Sequence, residues 1–171
     1  MAYDHWRRMA PADLPAVMAI AAEVHPDYPE DRAVFAERLA LAPEGCRVLA
    51  DAGGGLFGYM LSHPWPSGEA PALNTLLGEV PVGAGNWYIH DLALLRAARG
   101  TGAAGAVVGE IVALAEEKGC ATLSLVAVAG SSGFWQRQGF RPVDDPALAR
   151  RLASYDDAAR YMQRPLDSRR P

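Results

Sequence analysis

At 171 residues and 18.2 kDa the chain has the size of one ordinary domain, and a hydrophobic content of 50% excludes wholesale disorder. A formal net charge of −4, a pI of about 5.5 and arginine pairs scattered at 7–8, 150–151 and 169–170 exclude a dedicated nucleic-acid binder working by phosphate neutralisation. With its longest apolar stretches at 14–22 and 120–129, a polar MAYDHWRR start, and Cys46 and Cys120 lacking any CxxC partner, the chain reads as a soluble cytoplasmic protein without membrane span, disulfide framework or thiolate metal site.

In chain order, Asp13 is suited to cap a helix over 14–24, in which Leu14, Val17, Met18, Ile20, Ala21 and Val24 recur at three-to-four spacing before His25-Pro26 stops it. A second helix is expected over 30–41, with Val34, Phe35 and Leu39 inward. The turn Pro43-Glu44-Gly45 leads to strands at 46–50 and 56–63, joined through Gly53-Gly54-Gly55 as a hairpin. Residues 64–86 are rich in glycine and proline, without a sustained period, and read as a long loop with a short helical turn at 73–77. A strand at 87–95, a helix at 101–118 ended by Gly119, and an apolar strand at 121–129 covered on both faces come next. A short helix at 131–138, a strand at 140–143, a helical turn at 146–153 and a strand at 159–166 close the chain. The whole of 1–171 reads as a single α/β (α+β) domain without repeat or linker.

The most informative segment is Arg99-Gly100-Thr101-Gly102-Ala103-Ala104-Gly105, a glycine turn between a strand end and a helix. The first amides of a helix have no internal partners, the helix dipole puts partial positive charge there, and glycine removes the Cβ that would hold a phosphate off. Arg99 adds a cation. The same residues match GxGxxG, but a Rossmann turn needs an acidic residue about 20 positions on, where this chain has apolar 123–128. A glycine-rich helix start with no ligand is the plain alternative.

Arg99-x-x-Gly102-x-Ala104 after the strand His90-Asp91-Leu92-Ala93-Leu94 resembles the acyl-CoA pyrophosphate motif of the GNAT superfamily of N-acetyltransferases. Gly133-Phe134-Trp135-Gln136-Arg137-Gln138-Gly139-Phe140 is similar to the segment after that family's fifth strand, and 159–166 resembles its closing strand. The resemblance implies a mixed, twisted central sheet of six to seven strands flanked by helices and splayed between the fourth and fifth strands, with acetyl-CoA in the opening. It implies that Leu92, Ala93 and Leu94 pair with the pantetheine arm, and that the turn from Arg99 and Gly100 through Thr101, Gly102, Ala103 and Ala104 cradles the pyrophosphate. It further implies an amine acceptor, a small molecule or a peptide N-terminus, and is compatible with a homodimer; the charge and the short apolar stretches leave neither nucleic acid nor membrane as an expected partner.

Attack on a thioester needs a neutral amine, yet an alkylammonium with a pKa near 10 is only about one part in a thousand neutral at pH 7. A base must take the proton, and His90, with Tyr88 beside it on one strand face, stands where family members often carry that base. A core histidine bonded to a carbonyl is the competing reading of His90. Strict alternation puts Tyr88, His90 and Leu92 on one face and Ile89, Asp91 and Ala93 on the other, Asp91 being more readily an arginine's partner.

Trp135 stands where the family often has a tyrosine acid for the departing thiolate. An indole cannot transfer that proton, so Trp135 is expected to line the pantetheine end as a wall, and a non-catalytic acyl-CoA-binding module is the alternative function. Ser132, with Ser131, is expected to offer the CoA arm a hydroxyl in place of the family's asparagine, or else to cap the helix. On the acceptor side Asp27, Glu30 and Asp31 suit a cationic amine, with Tyr28 and Trp65 as aromatic walls. The four histidines show no metal-ligand spacing.

Overall fold

The computed structural model describes residues 5–128, 130–153 and 155–167. Its centre is a seven-stranded mixed sheet in the order β1-β2-β3-β4-β5-β7-β6, made of β1 (His5–Arg8), β2 (Arg47–Ala50), β3 (Leu56–Pro64), β4 (Asn86–Leu94), β5 (Thr122–Ala127), β6 (Arg141–Pro142) and β7 (Arg160–Pro165). All pairings are antiparallel except β4 with β5. The helices are α1 (Leu14–Val24), α2 (Arg32–Leu41), α3 (Ala103–Glu117), α4 (Ser132–Arg137) and α5 (Pro146–Leu152).

Two cores sandwich the sheet. On one face Val107, Val108, Ile111 and Ala115 of α3 pack on Trp87, Ile89, Leu123 and Leu125, with Trp135 and Phe140 closing the end. On the other, Leu14, Val17 and Ile20 of α1 and Phe35 and Leu39 of α2 pack on Val48, Tyr59 and Leu61. The inward positions of each helix recur at three-to-four spacing, which makes one stripe of it apolar. The strand β5 is covered on both faces, Leu123, Leu125 and Ala127 on the α3 side and Val126 against Leu148 and Leu152 of α5.

The strand β1, absent from the sequence reading, pairs with β2 as the sheet edge, and Trp6 Nε1 donates to the Ala103 carbonyl at 2.8 Å. Asp13 does not cap α1; its carboxylate is held by Arg7, 2.8 Å away, and by the Ala10 amide. No helical turn forms at 73–77. That stretch is a loop with a turn at 73–74, Asn74 at φ +56°, and is tied to the α1–α2 side: Glu37 accepts from the Leu77 amide at 2.6 Å, Glu30 from the Asn74 amide at 3.0 Å, and Asn74 Oδ1 from the Asp31 amide at 2.7 Å. Ala129, the expected end of the strand anticipated at 121–129, and the pair at 169–170 lie outside the described residues.

Candidate functional site

The strand β4 has different neighbours along its length. From Asn86 to Ile89 it pairs with Thr122 to Leu125 of β5; beyond Ile89 the strands part, while β5 continues on β7 to Ala127. The closed end is pinned by buried Asn86, whose Nδ2 donates to Ser124 Oγ at 2.8 Å and whose Oδ1 accepts from Thr122 at 2.7 Å. At the open end, the edge of β4 that would bond β5 is released, leaving backbone amides and carbonyls for a ligand.

On its other side β4 stays on β3 with a bulge. Leu61 pairs with Asp91 and Ser62 with Ile89, which makes His90 the extra residue. Because strand faces alternate with period two, one inserted residue resets which side chains share a face. Trp87, Ile89 and Leu92 belong with the α3 core, whereas Tyr88, Asp91 and Ala93 turn to the α1–α2 side. Strict alternation is thus corrected: Asp91 joins Tyr88 and His90, and Leu92 changes face.

Two imidazole–carboxylate pairs result. Glu30, in the α1–α2 connection, puts Oε1 2.8 Å from His90 Nε2, with side-chain exposures of 6% and 2%. A carboxylate only accepts, so Nε2 carries the hydrogen, and in the neutral ring Nδ1, buried and without a partner, is the atom with the lone pair. His25, the residue after α1, has Nε2 2.9 Å from Asp91, which also accepts from the Tyr59 hydroxyl. Burial works to lower the His25 pKa, but Asp91 outweighs it and the net shift is upward. For Asp91, burial works upward and is outweighed by His25 and Tyr59, so its carboxyl is held below the usual range. Below them lies a buried polar layer in which burial drives His63 down to about 3 and raises the Tyr88 phenol well above its ordinary value. The His63 ring is 5.5 Å from that of Tyr88 and 6.3 Å from that of His90.

Two cavities open from this region. The first, of about 310 Å³, is bounded by Asp27, Tyr28, Glu30, His25, Tyr88, His90, Asp91 and Tyr155, with Leu73, Val126 and Val128 as apolar wall. The second, of about 560 Å³, runs from Leu92, Ala93 and Leu94 past Arg99, Gly100 and Gly102 to Ala103, Ala104 and Gly105, with Arg137 and Gln138 opposite. Val24, Leu92, Ser131 and Trp135 line both, so the two meet there. Gly100 and Gly102 adopt φ of +74° and +86°, and a Cβ at either would meet nothing within 4 Å, which leaves a concave backbone open to an anion. Gly102 caps α3, and the amides of Ala104 and Gly105 have no carbonyl one turn earlier to bond.

Of the expected site residues, Tyr88, His90 and Tyr28 line the first cavity, Leu92 and Trp135 both, and Ala93, Leu94, Arg99, Gly100, Gly102, Ala103 and Ala104 the second. Three line neither. Thr101 turns its hydroxyl to the Ala98 carbonyl at 2.6 Å. Ser132 gives way to Ser131, whose hydroxyl donates to the Val128 carbonyl at 2.7 Å. Trp65 packs its ring 5.6 Å from that of His63. Sequence reasoning puts the connection 25–31 on the acceptor side but missed Tyr155 as a wall residue, Asp91 as the partner of His25 and Glu30 as the partner of His90. Among the described residues no group of three His, Cys, Asp or Glu side chains could hold a metal ion, and no helix is long and apolar enough to cross a membrane.

The sequence model described as the acetyltransferase (GNAT) family matches residues 3–140. Comparison with curated proteins finds no match. Among solved structures, GphF, a GNAT-like decarboxylase in complex with isobutyryl-CoA, aligns with a TM-score of 0.79 at 19% identity over 95% of this chain and 100% of that one. The ribosomal-protein-S18-alanine N-acetyltransferase from Escherichia coli gives 0.66 at 17% identity over 95% and 94%. Chaetomium thermophilum Naa20 in complex with a bisubstrate analogue gives 0.69 at 17% identity over 96% and 87%. At these identities the likeness is one of fold.

Proposed function

Because the chain belongs to the acetyltransferase (GNAT) family, we propose that it transfers the acetyl group of acetyl-CoA to a primary amine by direct attack in a ternary complex, with His90 as the base. The observation that carries this reading is the opposite charge of two cavities that share a wall. The larger is lined by Arg99 and Arg137 and, among the described residues, by no carboxylate, which suits the anionic phosphates of CoA. The smaller is lined by Asp27, Glu30 and Asp91 and, among the described residues, by no lysine or arginine, which suits an ammonium.

The residues present suit the chemistry. The lone pair on His90 Nδ1 takes the amine proton, directly or through water, and Glu30 stabilises the imidazolium that forms. The nitrogen bonds to the thioester carbon, an amide on the released edge of β4 supports the oxyanion, the tetrahedral nitrogen gives up its second proton to water, and the C–S bond breaks to leave the amide and a thiolate. The thiolate takes its proton from water, since the Trp135 indole does not transfer one. Decarboxylation, which a neighbour of the same fold carries out, consumes an acyl group bearing a carboxylate, and three carboxylates in the smaller cavity oppose that.

The test is calorimetric titration with acetyl-CoA, with NADH as control, followed by free-thiol release in the presence of amines. Saturable acetyl-CoA binding with amine-dependent thiol release supports the reading. Tight acetyl-CoA binding with no release for any amine would favour the second reading, a non-catalytic acyl-CoA-binding module, which the tryptophan at the meeting point of the cavities motivates.

A further inference from the structure

The side chains on the wall of the smaller cavity offer hydrogen-bond acceptors and very few free donors. The Tyr28 hydroxyl is given to Asp156, and that of Tyr155 to the Pro71 carbonyl at 2.6 Å. Tyr88 is bonded to Tyr155, and Ser131 donates to the Val128 carbonyl. His90 Nε2 is held by Glu30 and His25 by Asp91. The indole N–H of Trp135, at the CoA end, is an unengaged side-chain donor among the described lining residues, and His25 Nε2 faces Asp91 at 2.9 Å. The carboxylates of Asp27, Glu30 and Asp91 are acceptors only, and the His25 ring, where it is protonated, has its charge already met by Asp91.

We infer, building on the amine-acetylation reading above, that the acceptor is a compact primary amine with an uncharged, apolar body, and that α-amino acids and peptide N-termini are poor acceptors. An ammonium brings three donors and no acceptor, which complements the wall. An α-carboxylate beside that ammonium would face the like charges of Asp27 and Glu30, with Asp91 spent on His25, and no available cation. A peptide or amide carbonyl would lose its water and find no side-chain donor deep in the cavity, an unsatisfied group of the kind folded sites avoid. The rest of the molecule would meet Leu73, Val126, Val128 and the rings of Tyr28 and Tyr155. At about 310 Å³ the space lies at the small end of ligand pockets.

The experiment compares kcat/KM within two sets that share a body and an amine: 2-phenylethylamine, phenylalaninamide, phenylalanine and a tetrapeptide starting with phenylalanine; and isopentylamine, leucinamide and leucine. Thiol release is followed at saturating acetyl-CoA. The plain amine of at least one set is expected to exceed its amino acid by about tenfold or more, with the amide and peptide also below the amine. Asp27→Lys, on an exposed position, is expected to narrow the amine-to-amino-acid ratio several-fold, a ratio unaffected by the fraction of folded enzyme. Amino acid or peptide acetylated as well as the plain amine, or a ratio unmoved by Asp27→Lys, would overturn the inference while leaving acetyl transfer intact. Acetyl-CoA binding without transfer to any member of either set would overturn acetyl transfer and the inference together.

Discussion

Glu30 and His90 lie 60 residues apart in sequence and 2.8 Å apart in space, and the carboxylate dictates the tautomer of the ring it touches. With Nε2 bearing the hydrogen, Nδ1 is the basic atom. If His90 takes the amine proton, His90→Ala should lower kcat by about 100-fold or more while leaving the acetyl-CoA Kd within about twofold. Glu30→Gln keeps the shape but lets the amide donate as well as accept, so the ring can adopt either tautomer; a kcat loss of about tenfold is expected. Equal losses of turnover and cofactor affinity in His90→Ala would sink the role of base.

The glycine turn can be tested apart from chemistry. Gly102 sits at φ +86°, so an L side chain there is strained by about 1–2 kcal/mol whatever space surrounds it. Gly102→Glu adds a negative charge where the pyrophosphate is proposed to lie, and acetyl-CoA binding should disappear by calorimetry. Arg99→Ala keeps the turn and should weaken binding by about tenfold at low salt and by less at high salt. Affinity unchanged in Gly102→Glu would put the phosphates elsewhere.

Asp91 holds the His25 imidazolium and the Tyr59 hydroxyl at once, so Asp91→Asn should cost about 2 kcal/mol in urea unfolding near pH 6. Without the carboxylate, burial of His25 is opposed only by the Leu92 backbone and the charge of Glu30, and its pKa should fall in an NMR titration. The sign follows from linkage. In the parent protein the raised His25 pKa gives stability that is full below the unfolded value near 6.5 and is lost as pH rises through the folded value. The gap between parent and variant should therefore narrow at alkaline pH, and a pH-independent gap would contradict the ion pair.

The glycine turn, the apolar helix faces and the uniformly apolar central strand were legible because each is a local pattern with a local physical cause. The bulge at His90 was not. Nothing in Tyr88-Ile89-His90-Asp91-Leu92 marks one residue as extra; the offset arises from the register that β3 imposes, and it moves Asp91 onto the acceptor side. The partnership of Glu30 with His90 was hidden for a related reason: a carboxylate at a helix start is ordinarily solvated, and only tertiary folding buries this one to 6% exposure. Trp65 misled in the opposite direction, since its place after a strand end suggested a cavity wall, but its ring turns to His63.

The same His63 makes acid stability a sharp test of the buried layer. Its side chain is fully buried with Nδ1 2.9 Å from the Pro64 carbonyl, and burial brings its pKa down to about 3. An unfolded histidine titrates near 6.5, so between these values the unfolded chain holds one proton more than the folded chain. Stability should then be insensitive to this group above about pH 6.5 and fall by about 1.4 kcal/mol per pH unit below it. The window from pH 6 to 5 isolates the effect, because the carboxylates titrate mainly below it. His63→Gln, which carries no such proton, should show a slope smaller by that amount in urea unfolding across the window, even if it is less stable than the parent at pH 8. Equal slopes would mean that His63 is protonated in the fold and that the layer beneath His90 is charged.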